Sequence, residues 1–537
     1  MVMRFLTQPT IMKNPNPRVP LAAVVRFRPS ESGRTRIDIR DPDRRWSVEF
    51  GPDRLPAEGL PILGMRPDRD HELRVTLISE SGAEATAPGS LHYRTPPLPS
   101  GHDFPHGIRV NRDDRSRREP GVRLLSVHRI PRGRYNEWSK EMVDFGFSWG
   151  VIVALDADNE VCWYYKTDSF LEGIDRLGNG NLIFHRWDFH TFEIDMLGNT
   201  VNQWYAAHRP QGPAAGAIAV DTAGLHHQPK EMPNGNFLIF TASAREIDDY
   251  YTDQYNLDAP RRRALVVGDG VAEMDRGTGE LLWEWSAFDH MDPFRIGYGG
   301  TDDYWALRGF EGALDWTHGN GATYDARDDS VIVSLRHQDA LVKVDRASGG
   351  IRWILGEPTG WGPLADRVLK PLNLARWPYH GHNPRMTPEG TIVFFDNGTW
   401  GARPPKPPVP PERNFSRGVE YCVDEEKMTV EEVWASDTHF SPSSRHSPDM
   451  GDAHKLPRTG NMMVVWAHCV AAAPGQVYSN KDSSGAFFND FYMPSLLREY
   501  ARNGSSEVVF ELELHDPEET INWGMYGGLM IPSLYPD

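Results

Sequence analysis

The sequence predicts an all-β protein, a six-bladed β-propeller preceded by a small N-terminal β-sandwich. Two observations carry this expectation. The 537 residues include 49 Gly, 43 Pro, 17 Trp, 18 Tyr and 23 Phe, which suits many short strands joined by tight turns better than long helices. One unit also recurs along most of the chain. Its first half is a turn rich in Gly, Asn or Asp that leads into an apolar strand: LGNGNLIF at 177–184, PNGNFLIF at 233–240, ARDDSVIVS at 326–334, PEGTIVFF at 388–395 and RTGNMMVVW at 458–466. Its second half is an apolar strand, an Asp-containing turn and a strand carrying Trp or, in the last copy, Phe. This half occurs six times, from ALDADNEVCWYY to EYARNGSSEVVFE. Copies too small to bury their own faces must stack on one another, and that is how a propeller is built.

Residues 1–97 are assigned to the sandwich because short alternating runs such as TRIDIRD and HELRVTLIS are punctuated by Gly, Pro and Ser. Residues 98–120 turn to Pro, Gly, Arg and Asp without periodicity and are expected to form a linker. Residues 121–537 are assigned to the propeller. Its first copy, at 151–165, has no clear N-terminal partner, so the C-terminal segment or the strand at 122–127 is expected to complete that blade and close the ring. Long insertions at 241–263, 289–312, 357–378, 399–415 and 471–494 are expected to be irregular functional loops. They hold many aromatic side chains, among them Tyr250, Tyr255, Tyr304, Trp305, Trp400, Phe487, Phe488 and Tyr492. An aromatic mouth suits a planar substrate, and Tyr304, Trp305 and Trp400 are taken as candidate substrate contacts.

Composition excludes several functions. The net charge is −18 with no run of Lys and Arg, so nucleic acid is not an expected partner. No apolar run reaches the roughly 18 residues of a membrane span, and the start has no secretory h-region. Cys162, Cys422 and Cys469 are far apart and odd in number, which argues against a disulfide framework.

Candidate chemistry lies at matched repeat positions. His227 precedes the turn glycine Gly235 by eight residues, and His382 precedes Gly390 by eight. His318 holds the same place before a slightly longer turn. Inner strands of a propeller surround its axis, so the three imidazoles are expected to converge. His226 and His380 adjoin matched positions and are taken as supports next to the substrate. His454 misses the register by two residues, and Asp452 takes the equivalent place. Arg336 follows His318 by 18 residues, and its permanently charged planar fork fits an oxyanion. A ring of histidines could instead hold iron or manganese for oxygenase or lyase chemistry. No Asp or Glu sits at a matched position in the three histidine blades, and Arg336 would repel a cation, so no metal or other cofactor is expected. A non-catalytic interaction propeller is a further alternative.

The stretches DWTHGNGATYD, VIVSLRHQ, HHQPKEMPNGNFLIF, RMTPEGTIVFFDNG and SRGVEYCVDEEKMTVEEVW resemble the bacterial arylsulfate sulfotransferases, which work without a nucleotide sulfate donor. The resemblance implies a sandwich followed by a six-bladed propeller, with small-molecule aryl sulfates and phenols as substrates. It also implies His382 as the nucleophile that becomes sulfated, His318 and Arg336 as sulfo-group ligands, and His227 as the third histidine. Hydrolysis of the same donors, sulfatase-like in effect, is a variant on the same site. The family further implies a periplasmic location, a short disulfide loop ahead of the nucleophile and a possible homodimer. Here LKPLNLARWPYHGH has no cysteine, which together with the absent leader favours a cytoplasmic location.

Overall fold

The computed structural model describes residues 3–132, 138–410, 413–441, 444–469, 493–502 and 506–536. Six sheets form the propeller blades. Blade 1 pairs Ile521–Ile531, Val122–Pro131, Gly150–Leu155 and Val161–Thr167, in that order from the inside outward. Both segments expected at the closure therefore contribute: Ile521–Ile531 is the inner strand, and Val122–Pro131 lies beside it along its whole length. Blade 2 starts at Leu171–Arg176, blade 3 at Lys230–Glu231, blade 4 at Gly319–Asp325, blade 5 at His382–Met386 and blade 6 at Asp452–Lys455.

The repeat has a local physical cause. Each Asp of the outer turn accepts backbone N–H groups two to four residues ahead: Asp195 from Leu197 and Asn199, Asp275 from Gly277 and Thr278, Asp345 from Ser348. Such a turn reverses the chain with its buried donors satisfied. The recurring Trp then fastens one blade to the next. Trp163 Nε1 donates to Met196 O (2.8 Å), Trp204 to Arg276 O (3.2 Å) and Trp283 to Arg346 O (2.9 Å). One side chain supplies both the apolar wedge between sheets and a polar latch on the neighbouring turn.

The N-terminal domain packs a three-stranded sheet (Phe5–Lys13, Ala23–Pro29, Leu60–Ile62) on a five-stranded one built on Arg34–Arg40 and Asp70–Ile78. Val25, Phe27, Ile37, Leu73 and Val75 fill the space between them. It is fixed to blade 1 through Asp156, which receives Arg44 (3.0 Å) and Arg66 (2.8 Å), and to blade 2 through Asn14, which donates to Leu197 O (2.9 Å).

Several expectations are corrected. The segment read as a linker contains a strand, Gly107–Asp113, which pairs with Val508–His515 and becomes the outermost strand of blade 6. It was hidden because only one face is covered and the other is Arg- and Asn-rich. Residues 241–263 are mostly regular: Phe237–Tyr250 and Arg262–Met274 continue blade 3 as a long hairpin. Most of 471–494, including Phe487, Phe488 and Tyr492, lies outside the described residues. Among the described residues no helix is long and apolar enough to cross a membrane.

Candidate active site

The inner strands of blades 3, 4 and 5 bring His227, His318 and His382 to the wall of one cavity of about 140 Å³, together with Arg336 and Tyr304. His227 and His318 hold left-handed backbone, with φ of 65° and 47°. Non-glycine residues rarely adopt that region, and the cost of roughly 1–3 kcal/mol is typical of side chains aimed into a site.

His382 is the most tightly specified of the three. Asn397 Nδ2 donates to Ser447 O (2.8 Å) and Met450 O (3.0 Å), so the amide can turn only its oxygen toward the imidazole. His382 Nδ1–H donates to that oxygen at 2.7 Å. The tautomer follows, since the His380 carbonyl also stands 3.1 Å from Nδ1: Nε2 is the unprotonated nitrogen, and its lone pair accepts from the Met450 N–H at 3.1 Å. Burial and the Arg336 charge pull the imidazole pKa down to about 3, only partly opposed by the Asn397 bond. At neutral pH the His382 imidazole is uncharged.

Arg336 lies against it in a short helical turn, Arg336–Gln338. Its Nη1 donates to His337 Nε2 (2.5 Å) and its Nη2 to Pro448 O (3.3 Å), while Nε is buried without a partner. A buried guanidinium with a free N–H beside a neutral imidazole is arranged for an oxyanion. His318 Nδ1 meets Asp315 Oδ2 at 2.5 Å, and Trp305 Nε1 donates to Asp315 Oδ1 at 3.0 Å. Burial pushes the Asp315 carboxyl up and the His318 imidazole down, so the two hold one proton between them.

His226 and Trp305 stand behind the cavity wall. His226 meets His227, and Trp305 packs on Phe189 with ring centroids 5.5 Å apart. His380 and Trp400 are further removed. His380 Nδ1 is 2.8 Å from Asp339, its Nε2 donates to Tyr298 O (2.9 Å), and Trp400 stacks on Tyr298. Of the five residues expected beside the substrate, Tyr304 lines the cavity, whereas His226, His380, Trp305 and Trp400 do not. Asp452 pairs with Arg385 (3.3 Å) and His454 (2.7 Å) away from the cavity.

Apart from Tyr304, the aromatic wall comes from elements that the sequence did not single out. Helix Lys140–Phe147, capped by Ser139 on the Met142 N–H, presents Phe147, which packs on Trp187 with centroids 4.3 Å apart and on Phe170 at 5.7 Å. Tyr304 and Tyr526 complete it. Asp315, His337, Asn397 and Met450 were also unassigned. Asp315 is three residues from His318 and His337 adjoins Arg336, so proximity in the chain was the available signal; Asn397 and Met450 gave none.

Asp315, His318 and His337 place three donor atoms within 4.8 Å of one another, a spacing that fits a metal ion. The carboxylate enters from outside the matched register, and Arg336 sets a fixed positive charge against a cation there.

A family model described as Arylsulfotransferase (ASST) matches residues 147–523. Arylsulfate sulfotransferase AssT of Escherichia coli O6:H1 is 28% identical over 335 residues, 52% of this chain and 51% of that protein. Its counterpart from Lelliottia amnigena is 26% identical over 386 residues, 59% of this chain and 60% of that protein. The chain thus spans about half the length of the curated relatives it matches. Among solved structures, a protein of unknown function from Bacteroides caccae covers 76% of this chain and 99% of its own, at 10% identity and a TM-score of 0.37.

Proposed function

The chain belongs to the arylsulfotransferase family, and on that premise we propose that it moves a sulfo group from an aryl sulfate ester to a phenol through a sulfohistidine at His382. The observation that carries this reading is the His382 tautomer: Asn397 holds the proton on Nδ1, so Nε2 is the nitrogen with a lone pair, in a cavity wall that Arg336 shares, and attack requires it to exchange the Met450 N–H for sulfur. In the first displacement Nε2 attacks sulfur, an N–S bond forms, and the S–O bond to the aryl group breaks with its electron pair on the leaving phenolate. In the second, a phenol oxygen attacks the same sulfur, loses its proton, and the N–S electron pair returns to Nε2. Charge builds on the sulfo oxygens during a loose transfer, as in phosphoryl transfer. Arg336 and His318 stand where they can receive it. The aromatic wall of Phe147, Trp187 and Tyr304 suits the ring of donor and acceptor in turn.

Intact-protein mass spectrometry after incubation with an aryl sulfate tests the proposal. One added sulfo group is expected on the wild type, discharged by added phenol, and none on His382→Ala. A wild type that turns over and stays unmodified at every time point would remove the nucleophile assignment. Comparing free sulfate with sulfated phenol in the same reaction separates transfer from hydrolysis. The donor set Asp315, His318 and His337 favours a second, metal-dependent reading. Full activity of protein with no bound metal by elemental analysis, unchanged by chelator, would dispose of it.

A further inference from the structure

The double displacement needs a proton carrier. A phenol must lose its proton as it attacks, and a poorly activated phenolate must gain one as it leaves. Two of the ring histidines could serve. His318 is next to His337, with ring centroids 4.7 Å apart, and the Arg336 charge weighs against a proton on it. His227, with its ring centroid 5.0 Å from that of His318, faces the rings of Tyr304 (6.0 Å) and Tyr526 (6.4 Å).

Behind His227 a chain of polar contacts runs into the protein. His227 Nδ1 is 2.6 Å from Nδ1 of His226. His226 is fully buried, and its Nε2 is 3.2 Å from Asp269 Oδ1. Among the described residues neither of these two atoms has a hydrogen-bond partner, so this charge contact is what each has. The other Asp269 oxygen accepts from Thr317 Oγ1 and from the Gly319 N–H at 2.7 Å, which fixes the carboxylate. The His227 backbone is held separately, its N–H donating to Glu172 Oε2 at 2.8 Å. Two Nδ1 atoms at 2.6 Å share one hydrogen. With Asp269 ionised, His226 keeps its proton on Nε2, His227 is the Nδ1–H donor, and His227 Nε2 presents a lone pair to the cavity.

From this arrangement we infer that Asp269, His226 and His227 form a proton relay for sulfo transfer. It rests on the sulfohistidine reading. The phenol O–H proton passes to His227 Nε2, the His227 Nδ1 proton passes to His226 Nδ1, and the positive charge comes to rest on His226 beside the Asp269 carboxylate. The proton that an acceptor phenol leaves on the relay stays there after the sulfo group departs, and the reverse passage returns it to the phenolate that leaves the next donor. The free enzyme that takes a donor therefore carries the charged relay, and the sulfo-enzyme the neutral one. No net charge appears in the cavity, where an imidazolium next to Arg336 would be disfavoured in a medium that screens weakly. Asp269 also fixes the main chain on both sides of His318 through Thr317 and Gly319, so one carboxylate sets the register of two ring histidines. His226 and Asp269 are positioning residues that act through His227.

The test is single-turnover sulfo-enzyme formation across a series of aryl sulfates whose leaving phenols range from acidic to unactivated. In His226→Gln the amide oxygen still accepts from His227 but cannot pass a proton on; in Asp269→Asn the contacts to Thr317 and Gly319 are kept. Both variants are expected to lose little with the most acidic phenol and about 10²–10⁴-fold with the least acidic, giving a steeper dependence on phenol pKa than the wild type. A uniform loss across the series, or none, would overturn the relay and leave a structural role. Should both variants fail to fold, the wild type decides: rates in H₂O/D₂O mixtures with an unactivated phenol are expected to bow as two protons move together, and a straight line refutes the relay. A wild type that never takes up a sulfo group from any donor would instead remove the sulfohistidine, a result distinct from failure of the relay alone.

Discussion

Asn397 decides which nitrogen of His382 carries the proton, and it does so through two hydrogen bonds to backbone carbonyls. Because its amide N–H groups are committed to Ser447 O and Met450 O, replacing it frees the imidazole to flip. Asn397→Leu is therefore expected to slow sulfo-enzyme formation by about 10²-fold or more, as when a wrong histidine tautomer is imposed elsewhere, with aryl sulfate KM little changed. Arg336→Ala removes a preorganised donor and is expected to cost roughly 10²–10³ in kcat; stopped-flow measurement of the first displacement checks both. At this scale the sequence was readable where the repeat kept residues in phase. His227, His318 and His382 share one position of successive blades, and the cavity holds all three. Asn397 and Asp315 escaped notice for the converse reason. Each lies outside the matched repeat position; Asp315 adjoins His318 in the chain, whereas only the folded sheet brings Asn397 to His382.

Among the elements, blade strands were the most legible, because alternation, an Asp turn and a wedge Trp all point to the same local structure. The strand Gly107–Asp113 and the long hairpin of blade 3 were not. One is half-solvated at an edge, and the other projects beyond the sheet that would have imposed a pattern on it. Helix Lys140–Phe147 is the functional surprise, since two turns of helix in a β-protein supply the first ring of the aromatic wall. Phe147→Ala is expected to raise the KM for aryl sulfates by about 3–10-fold while kcat stays near wild type, the pattern of lost uniform binding. Initial-rate kinetics with a mono- and a bicyclic donor would show it, the larger ring suffering more. Gly524, on the inner strand of blade 1, has a narrower tolerance. A Cβ there would come within 2.1 Å of His128 Nε2 and 2.4 Å of His468 Nε2, so Gly524→Ala is expected to destabilise the protein by about 1–3 kcal/mol in denaturant titration.

Taken as a whole, the molecule stores many uncharged imidazoles. Burial holds His128, His185, His227 and His318 well below their ordinary range, and His382 at about 3. A histidine depressed on folding binds fewer protons in the native state, so its contribution is present above the unfolded pKa of about 6.5 and is lost as pH falls. Between pH 7 and 5 each such residue lowers stability, opposed by carboxyls that burial raises, such as Asp302 and Asp315. Tm by calorimetry is therefore expected to fall steeply from pH 7 to 5, and a flat profile would contradict the neutral ring. The closure of blade 1 has a different kind of consequence. Ile521–Ile531 is the innermost strand beside Val122–Pro131, and it places Tyr526 in the cavity wall. While the nascent chain is still being made, five blades can form but the ring stays open and the imidazole cluster stays wet. The cavity wall is therefore complete only once two segments about 400 residues apart in the chain have met, so the seam of the ring and the wall of the cavity are one structure.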